Sequence, residues 1–141
     1  MDKVPVIPFF KKVLIIDDSE TDRYIAKFVI KKHQFAEEVV VKELATKALD
    51  YLASLENSIE HHPQLIFLDI RMPEMDGFGF LDEYAKLSEI VKSNCIIIML
   101  STSLDPEDQL RANSSPYVYR FLNKPLNKEK MEILKLEFLK K

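Results

Sequence analysis

Short apolar runs alternate along the chain with longer segments in which apolar residues recur at helical spacing. Most of these runs are apolar at consecutive positions, which is typical of strands covered on both faces in a parallel sheet. The predicted strands are Val13–Asp17, Glu38–Lys42, Leu65–Asp69, Cys95–Ser101 and Tyr117–Leu122. The predicted helices, the first and fourth with their N-caps, are Ser19–Lys32, Glu43–Leu55, Phe78–Val91, Asp105–Ala112 and Leu126–Lys140. The pattern therefore predicts five successive strand–helix units.

The spacing of the predicted strands indicates the fold class. About 15 to 25 residues separate consecutive strands, which is enough for a right-handed helical crossover between parallel neighbours. We therefore predict an α/β fold, a doubly wound sandwich built on a five-stranded parallel sheet. The flavodoxin-like strand order 2-1-3-4-5 puts the topological switch point between the first and third strands.

Composition narrows the possible partners and location. The 141 residues carry a formal net charge of −3, so no broad electrostatic attraction to nucleic acid is expected. No run of about 18 apolar residues predicts a membrane span. The single cysteine, Cys95, lies in an apolar run, which favours a small buried hydrophobe and a reducing compartment. We therefore expect one cytoplasmic domain without nucleic-acid or membrane partners.

Polar side chains follow four of the predicted strands at the point where each strand ends. Asp17 and Asp18 follow the first, Asp69 ends the third, Ser101 ends the fourth, and Lys124 comes just after the fifth. In an open parallel sheet, ligands bind outside the carboxyl ends of the strands. Three carboxylates, a hydroxyl and an ammonium are therefore expected at one edge, where they suit a divalent metal and a phosphoryl group.

These residue types also suggest a reaction. Three carboxylates in one cleft repel one another, and Mg²⁺ (or Mn²⁺) removes that penalty, so a divalent cation is the expected cofactor. Asp69 is the expected nucleophile, because a carboxylate can attack phosphorus to form an acyl phosphate. Lys124 would neutralise charge on the phosphoryl oxygens, and a cis peptide to Pro125 would aim it inward. Ser101 would hydrogen-bond a phosphoryl oxygen, with Thr102 as the competitor for that role.

Four motifs in this order resemble one known family. They are Leu14–Asp18, Leu68–Gly77, Met99–Thr102 and Phe121–Pro125. Each motif alone is weak, but together they resemble the receiver domain of two-component response regulators. The resemblance extends over nearly the whole chain, from about Lys12 to Lys140.

The resemblance implies a phosphoryl donor and a metal-binding set. A histidine kinase or a phosphotransfer protein would transfer its phosphoryl group to Asp69. Asp18 and Asp69 would ligate Mg²⁺ directly, together with the backbone carbonyl of Arg71, and Asp17 would contribute directly or through water. The chain would not be an enzyme beyond catalysing its own phosphorylation and dephosphorylation.

The resemblance also implies a conformational switch. Ser101 would move towards the phosphoryl group, and Phe121 would turn inward into the space vacated. A downstream protein would then read the surface formed by the fourth predicted helix, the fifth strand and the fifth helix. A phosphorylation-dependent homodimer is a further expectation. The implied organisation is an N-terminal extension over residues 1–11, a receiver domain over 12–141, and no output domain.

Arg71, Ser103 and Gly77 carry further expectations. Arg71 stands where the family often has a smaller polar residue, and its side chain can reach or cover the phosphoryl site. Ser103 lies across from it, and in the family these two positions tune the lifetime of the acyl phosphate. Gly77 is expected to end the loop after Asp69 with a left-handed turn.

Other function classes are weighed on the same residues. A metal-dependent phosphohydrolase of the haloacid dehalogenase type also uses an aspartyl nucleophile, but needs a second acid two residues later, where this chain has Arg71. A flavodoxin-like cofactor binder needs a glycine-rich phosphate loop, and the chain has only Gly77 and Gly79. A receiver that acts only as a scaffold does not need the intact acidic positions.

Overall fold

The computed structural model describes residues 8–139, in which five strands alternate with six α-helices. The strands are β1 (Phe10–Ile16), β2 (Ala36–Lys42), β3 (Leu65–Leu68), β4 (Ile96–Ser101) and β5 (Val118–Asn123). The helices are α1 (Glu20–Lys32), α2 (Ala45–Ser54), α3 (Gly77–Tyr84), α4 (Glu89–Ser93), α5 (Pro106–Ser114) and α6 (Lys128–Leu139). A 3-10 turn spans Ile59–His61. Within residues 8–139, no helix combines the length and the apolar character needed to cross a membrane.

The strands form one sheet in the order β2-β1-β3-β4-β5, and every neighbouring pair is parallel. The predicted fold class and strand order are therefore confirmed. The order reverses between β1 and β3, and Ile16 pairs with Leu68 at the carboxyl end of that pair. This is the edge at which the sheet opens a crevice for ligands.

Helices cover both faces of the sheet, because side chains alternate between the faces along each strand. Leu14 and Ile16 of β1 pack in a core cluster beneath α2, α3, α4 and α5. Val13 and Ile15 of the same strand pack on the other face beneath α1 and α6. Burial on both faces accounts for the continuous apolar runs in the sequence.

The first strand begins earlier than predicted. It starts at Phe10 instead of Val13, because Phe10 pairs with Ala36 and its ring lies edge-on to Phe35 at 5.2 Å. The predicted boundary between residues 11 and 12 therefore falls inside a strand. Residues 1–7 of the predicted extension lie outside the described residues.

The predicted third helix, Phe78–Val91, is wrong as a single element. It is two helices, α3 and α4, with Ser88 in extended conformation as the N-cap of the second. The amides of Lys86 and Leu87 donate to carbonyls only three residues back, which closes α3 with tight turns. The fourth and fifth predicted helices therefore correspond to α5 and α6.

Candidate functional site

Backbone hydrogen bonds carry three charged residues to the carboxyl edge of the sheet. The amide of Asp17 donates to the carbonyl of Lys42 at 3.1 Å, and that of Asp69 donates to Ile16 at 3.0 Å. The amide of Lys124 donates to Ser101 at 3.0 Å. Each bond extends the ladder one residue beyond the strand, so the three side chains converge as the sequence predicts.

Asp17, Asp18 and Asp69 form a compact carboxylate group whose ligand oxygens lie within 4.8 Å of one another. Asp17 and Asp69 are buried, and Asp18 is exposed. The amide of Ser19 donates to Asp17 Oδ1 at 2.9 Å, and the amide of Ile70 donates to Asp69 Oδ1 at 2.8 Å. Hard carboxylate oxygens beside solvent are the ligands that Mg²⁺ prefers, so the donor set fits this cation.

Lys124 places its ammonium among three carboxylates. Its Nζ lies 2.7 Å from Asp17 Oδ2, 2.8 Å from Asp22 Oδ2 and 3.4 Å from Asp69 Oδ2. The peptide bond between Lys124 and Pro125 is cis. Burial acts to lower the pKa of Lys124, but the hydrogen bonds to Asp17 and Asp22 outweigh it and raise that pKa above its ordinary value. The lysine is therefore a permanent cation at this edge.

Asp69 has a pKa well above the ordinary value of an aspartate. Burial, followed by the negative charge of Asp17, raises the pKa of Asp69 to about 6, against the opposing influence of Lys124. At neutral pH the side chain is still largely ionised, but it is more basic than an exposed aspartate. This environment suits a metal ligand, because a bound cation offsets the repulsion, and it suits a nucleophile, because a raised pKa makes the carboxylate more basic.

A second polar network lies beside the carboxylate group, at the end of β4. Ser101 is buried, and its Oγ accepts from the amide of Ser103 at 3.1 Å. Asp108 Oδ2 on α5 accepts from Ser103 Oγ at 2.6 Å and from Arg71 Nη2 at 2.7 Å. The Arg71 side chain therefore pairs with α5, whereas the sequence predicted that it could reach or cover the phosphoryl site.

Two further predicted positions take part in the packing of the same edge. Phe121 pairs with Met99 across β4 and β5, and its half-buried side chain packs against the larger core cluster. Gly77 has no positive φ angle, so the predicted left-handed turn is wrong. The glycine is needed for a close approach, since a Cβ there would lie 2.5 Å from the carbonyl oxygen of Asp69 and 2.9 Å from Met99 Cε.

Two residues that contact the candidate site were not predicted from the sequence. Asp22 follows the N-cap Ser19 by three positions, which reads as a capping pair and conceals its contact with Lys124. Asp108 lies in the first turn of α5, and no sequence signal pairs it with Arg71, 37 residues away. Both contacts require α1 and α5 to be in position on the sheet.

This fold and edge define a receiver-type α/β domain, and comparison with known proteins agrees. A model of the response regulator receiver domain matches residues 13–134. The chain therefore belongs to the response regulator receiver family.

Individual relatives share that fold. Protein PilG of Pseudomonas aeruginosa is 31% identical over 85% of this chain and 81% of its own length. A protein-glutamate methylesterase/protein-glutamine glutaminase of Burkholderia thailandensis is 38% identical over 72% of this chain. A solved two-component response regulator from Cytophaga hutchinsonii superposes with a TM-score of 0.85 at 28% identity, covering 94% of this chain and 98% of that one. The chain spans only 26% of the length of the methylesterase.

Proposed function

We propose that this receiver domain accepts a phosphoryl group on Asp69 from a histidine kinase or a phosphotransfer protein. One observation carries the proposal. Asp69 lies in the carboxylate group with Asp17 and Asp18, and its Oδ2 is 3.4 Å from the ammonium of Lys124. A nucleophile, a candidate cation site and a fixed positive charge therefore meet within one small cleft at the switch point of the sheet.

The reaction is a phosphoryl transfer between two side chains. A carboxylate oxygen of Asp69 forms a bond to phosphorus while the bond from phosphorus to the donor's histidine nitrogen breaks. The departing imidazole keeps the electron pair and takes up a proton from solvent. The product is an acyl phosphate, which water can later hydrolyse to return Asp69.

The remaining residues hold charge in place during this step. Asp17, Asp18, Asp69 and the carbonyl of Arg71 would bind Mg²⁺ or Mn²⁺, which when bound neutralises charge on the phosphoryl oxygens. Lys124, which follows β5, supplies a second positive charge. Its contact with Asp17 already holds the ammonium in place. The buried position of Ser101 suits a hydroxyl that donates to a phosphoryl oxygen.

The output is proposed to be a change of surface. Ser101 moving to the phosphoryl group would break its bond with the amide of Ser103 and free space for Phe121 to turn inward. Ser103 also bonds Asp108 on α5, so the movement would reach the α5–β5–α6 surface. A cytoplasmic downstream protein, or a second copy of the chain, would recognise that surface.

The alternatives are less well supported. Turnover of external phosphate esters would require an acid two residues after Asp69, and Arg71 stands there, paired with Asp108. Membership of the receiver family also sets the haloacid dehalogenase alternative aside. A receiver that serves only as a scaffold would not need the carboxylate group of Asp17, Asp18 and Asp69 beside the ammonium of Lys124.

Phosphorylation by a small donor tests the proposal. The protein is incubated with acetyl phosphate and Mg²⁺, and intact-mass spectrometry counts the phosphoryl groups bound. We expect one group on the native chain and none on Asp69→Asn, because an amide oxygen is not an effective nucleophile. The matched control is Asp82→Asn, an exposed aspartate on α3 that should be labelled like the native chain.

Three results would contradict the proposal. Equal labelling of Asp69→Asn and the native chain would place the nucleophile elsewhere. A native chain that accepts no phosphoryl group, either from acetyl phosphate or from a phosphorylated histidine kinase, would favour the scaffold alternative. Sustained hydrolysis of phosphate monoesters would instead favour a phosphohydrolase.

A further inference from the structure

Asp22 is engaged in a way that its sequence context does not predict. It is the third residue of α1, and its amide donates to the N-cap Ser19 Oγ at 3.2 Å. In a complete capping box the side chain at this position would accept from the N-cap amide. Here that amide donates to Asp17 instead, and the carboxylate of Asp22 bonds Lys124 at 2.8 Å.

Three carboxylates surround the ammonium of Lys124 in this arrangement. An ammonium has three N–H groups, and Nζ faces three carboxylates, those of Asp17, Asp22 and Asp69. The contact with Asp69 is the longest of the three, at 3.4 Å. A phosphoryl oxygen that approaches Lys124 therefore competes with these carboxylates for its N–H groups.

The three carboxylates differ in what happens to them once the metal and the phosphoryl group are bound. Under the proposed function, Asp17 contributes to the metal site, and the carboxylate of Asp69 becomes an acyl phosphate whose negative charge lies on the phosphoryl oxygens. Asp22 has neither role, so it stays a free carboxylate and can keep its ion pair with the ammonium of Lys124. Its side chain is 36% exposed, which leaves it room to hold or release the lysine without disturbing the core.

We propose that Asp22 is a positioning residue that competes with the phosphoryl group for the ammonium of Lys124. This inference rests on the proposed function and adds a restraint specific to this chain. In the unmodified domain Asp22 holds the lysine on the α1 side of the cleft. In the phosphorylated domain it weakens the contact between Lys124 and the phosphoryl oxygen, and so limits how firmly the active state is held.

Binding of a phosphoryl analogue measures this competition without a chemical step. Calorimetry records the affinity of the full chain for beryllium fluoride in the presence of Mg²⁺. We expect Asp22→Asn to raise that affinity about threefold to fivefold, the size of a partly exposed ion-pair contact. Asp22→Glu keeps a carboxylate with longer reach and should stay within about twofold of the native affinity.

A charge-matched control separates this effect from a general loss of negative charge. Glu20 is exposed in the same first turn of α1, and Glu20→Gln removes the same charge away from Lys124. We expect it to change the affinity less than about twofold. An affinity for Asp22→Asn that is unchanged, lowered, or matched by Glu20→Gln would overturn the inference.

Separate measurements distinguish a variant that does not fold from a failure of the proposed function. Circular dichroism confirms that each variant is folded, and Asp22→Ser, which keeps a polar side chain in the first helical turn, replaces Asp22→Asn if that variant is unfolded. A native chain that binds no beryllium fluoride and accepts no phosphoryl group would contradict the proposed function itself. A native chain that does both, with no gain in Asp22→Asn or Asp22→Ser, would contradict only the competition.

Discussion

Two charged networks lie side by side at the carboxyl edge of the sheet, and they differ in charge balance. In the first, one ammonium, that of Lys124, faces the carboxylates of Asp17, Asp22 and Asp69. In the second, Asp108 accepts from one guanidinium, that of Arg71, and from a neutral hydroxyl. The first network therefore has an excess of negative charge, whereas the second is formally neutral.

The difference in charge indicates which of the two networks binds a cation or a phosphoryl group. A neutral, hydrogen-bonded pair is complete, and it ties the loop after β3 to α5. In the unbalanced network, burial and then the negative charge of Asp17 raise the pKa of Asp69, and a bound cation would offset part of that repulsion. The candidate functional site is therefore identified by its excess of negative charge. The number of ionic contacts distinguishes the two networks less well.

The largest expected effect comes from removing the single cation of each network in metal-free protein. Lys124→Ala leaves buried carboxylates without a counter-charge and should lower the free energy of unfolding by about 3 kcal/mol. Arg71→Ala removes a guanidinium that is 64% exposed, and should cost about 1 kcal/mol or less. Urea denaturation of both variants in a chelator measures the two values. Equal losses of stability would mean that the two networks do not differ in charge balance.

The next effect is a pH dependence carried by Asp69. Its folded-state pKa of about 6 lies above the ordinary value of 3.8, so between these values the folded state binds more protons than the unfolded chain. The stabilising contribution of the protonated form is therefore complete below about pH 4 and is lost as the pH rises through about 6. We expect this loss to be worth about 2 kcal/mol at pH 7 once solvent screening is allowed for, and Asp69→Asn should lack it.

Denaturation of the native chain and of Asp69→Asn from pH 4 to 7, without metal, checks this sign. The stability difference between them should grow in favour of Asp69→Asn as the pH rises. A difference that is constant with pH would show that Asp69 titrates normally. Added Mg²⁺ should reduce the difference, because a bound cation offsets the repulsion.

The smallest of the three effects concerns metal affinity. Asp18 is the exposed member of the carboxylate group, and Asp18→Ala should weaken Mg²⁺ binding about tenfold, or about 1.4 kcal/mol. Asp108→Asn, in the neutral network, should leave the affinity unchanged. Calorimetric titration with MgCl₂ compares them. An unchanged affinity in Asp18→Ala would remove it from the ligand set.

Much of the fold was predictable because the signals are local. Continuous apolar strands, helical spacing between them and N-caps at Ser19 and Asp105 each depend on a few neighbouring residues, and the structure confirms these caps. The break between α3 and α4 was not predictable, because apolar spacing continues through Leu87. The early start of β1 depends on aromatic contacts between Phe10 and residues distant in sequence.

The sequence by itself determined the parallel sheet and the gathering of acidic side chains at its carboxyl edge. It could do so because strand direction alone decides which end of each strand a residue follows. The tertiary structure decided how those charges are shared: Arg71 pairs with Asp108, Asp22 bonds Lys124, and Gly77 lies close against the carbonyl of Asp69. Such partners depend on distances of a few ångströms between separate elements, and helix packing on the sheet sets those distances.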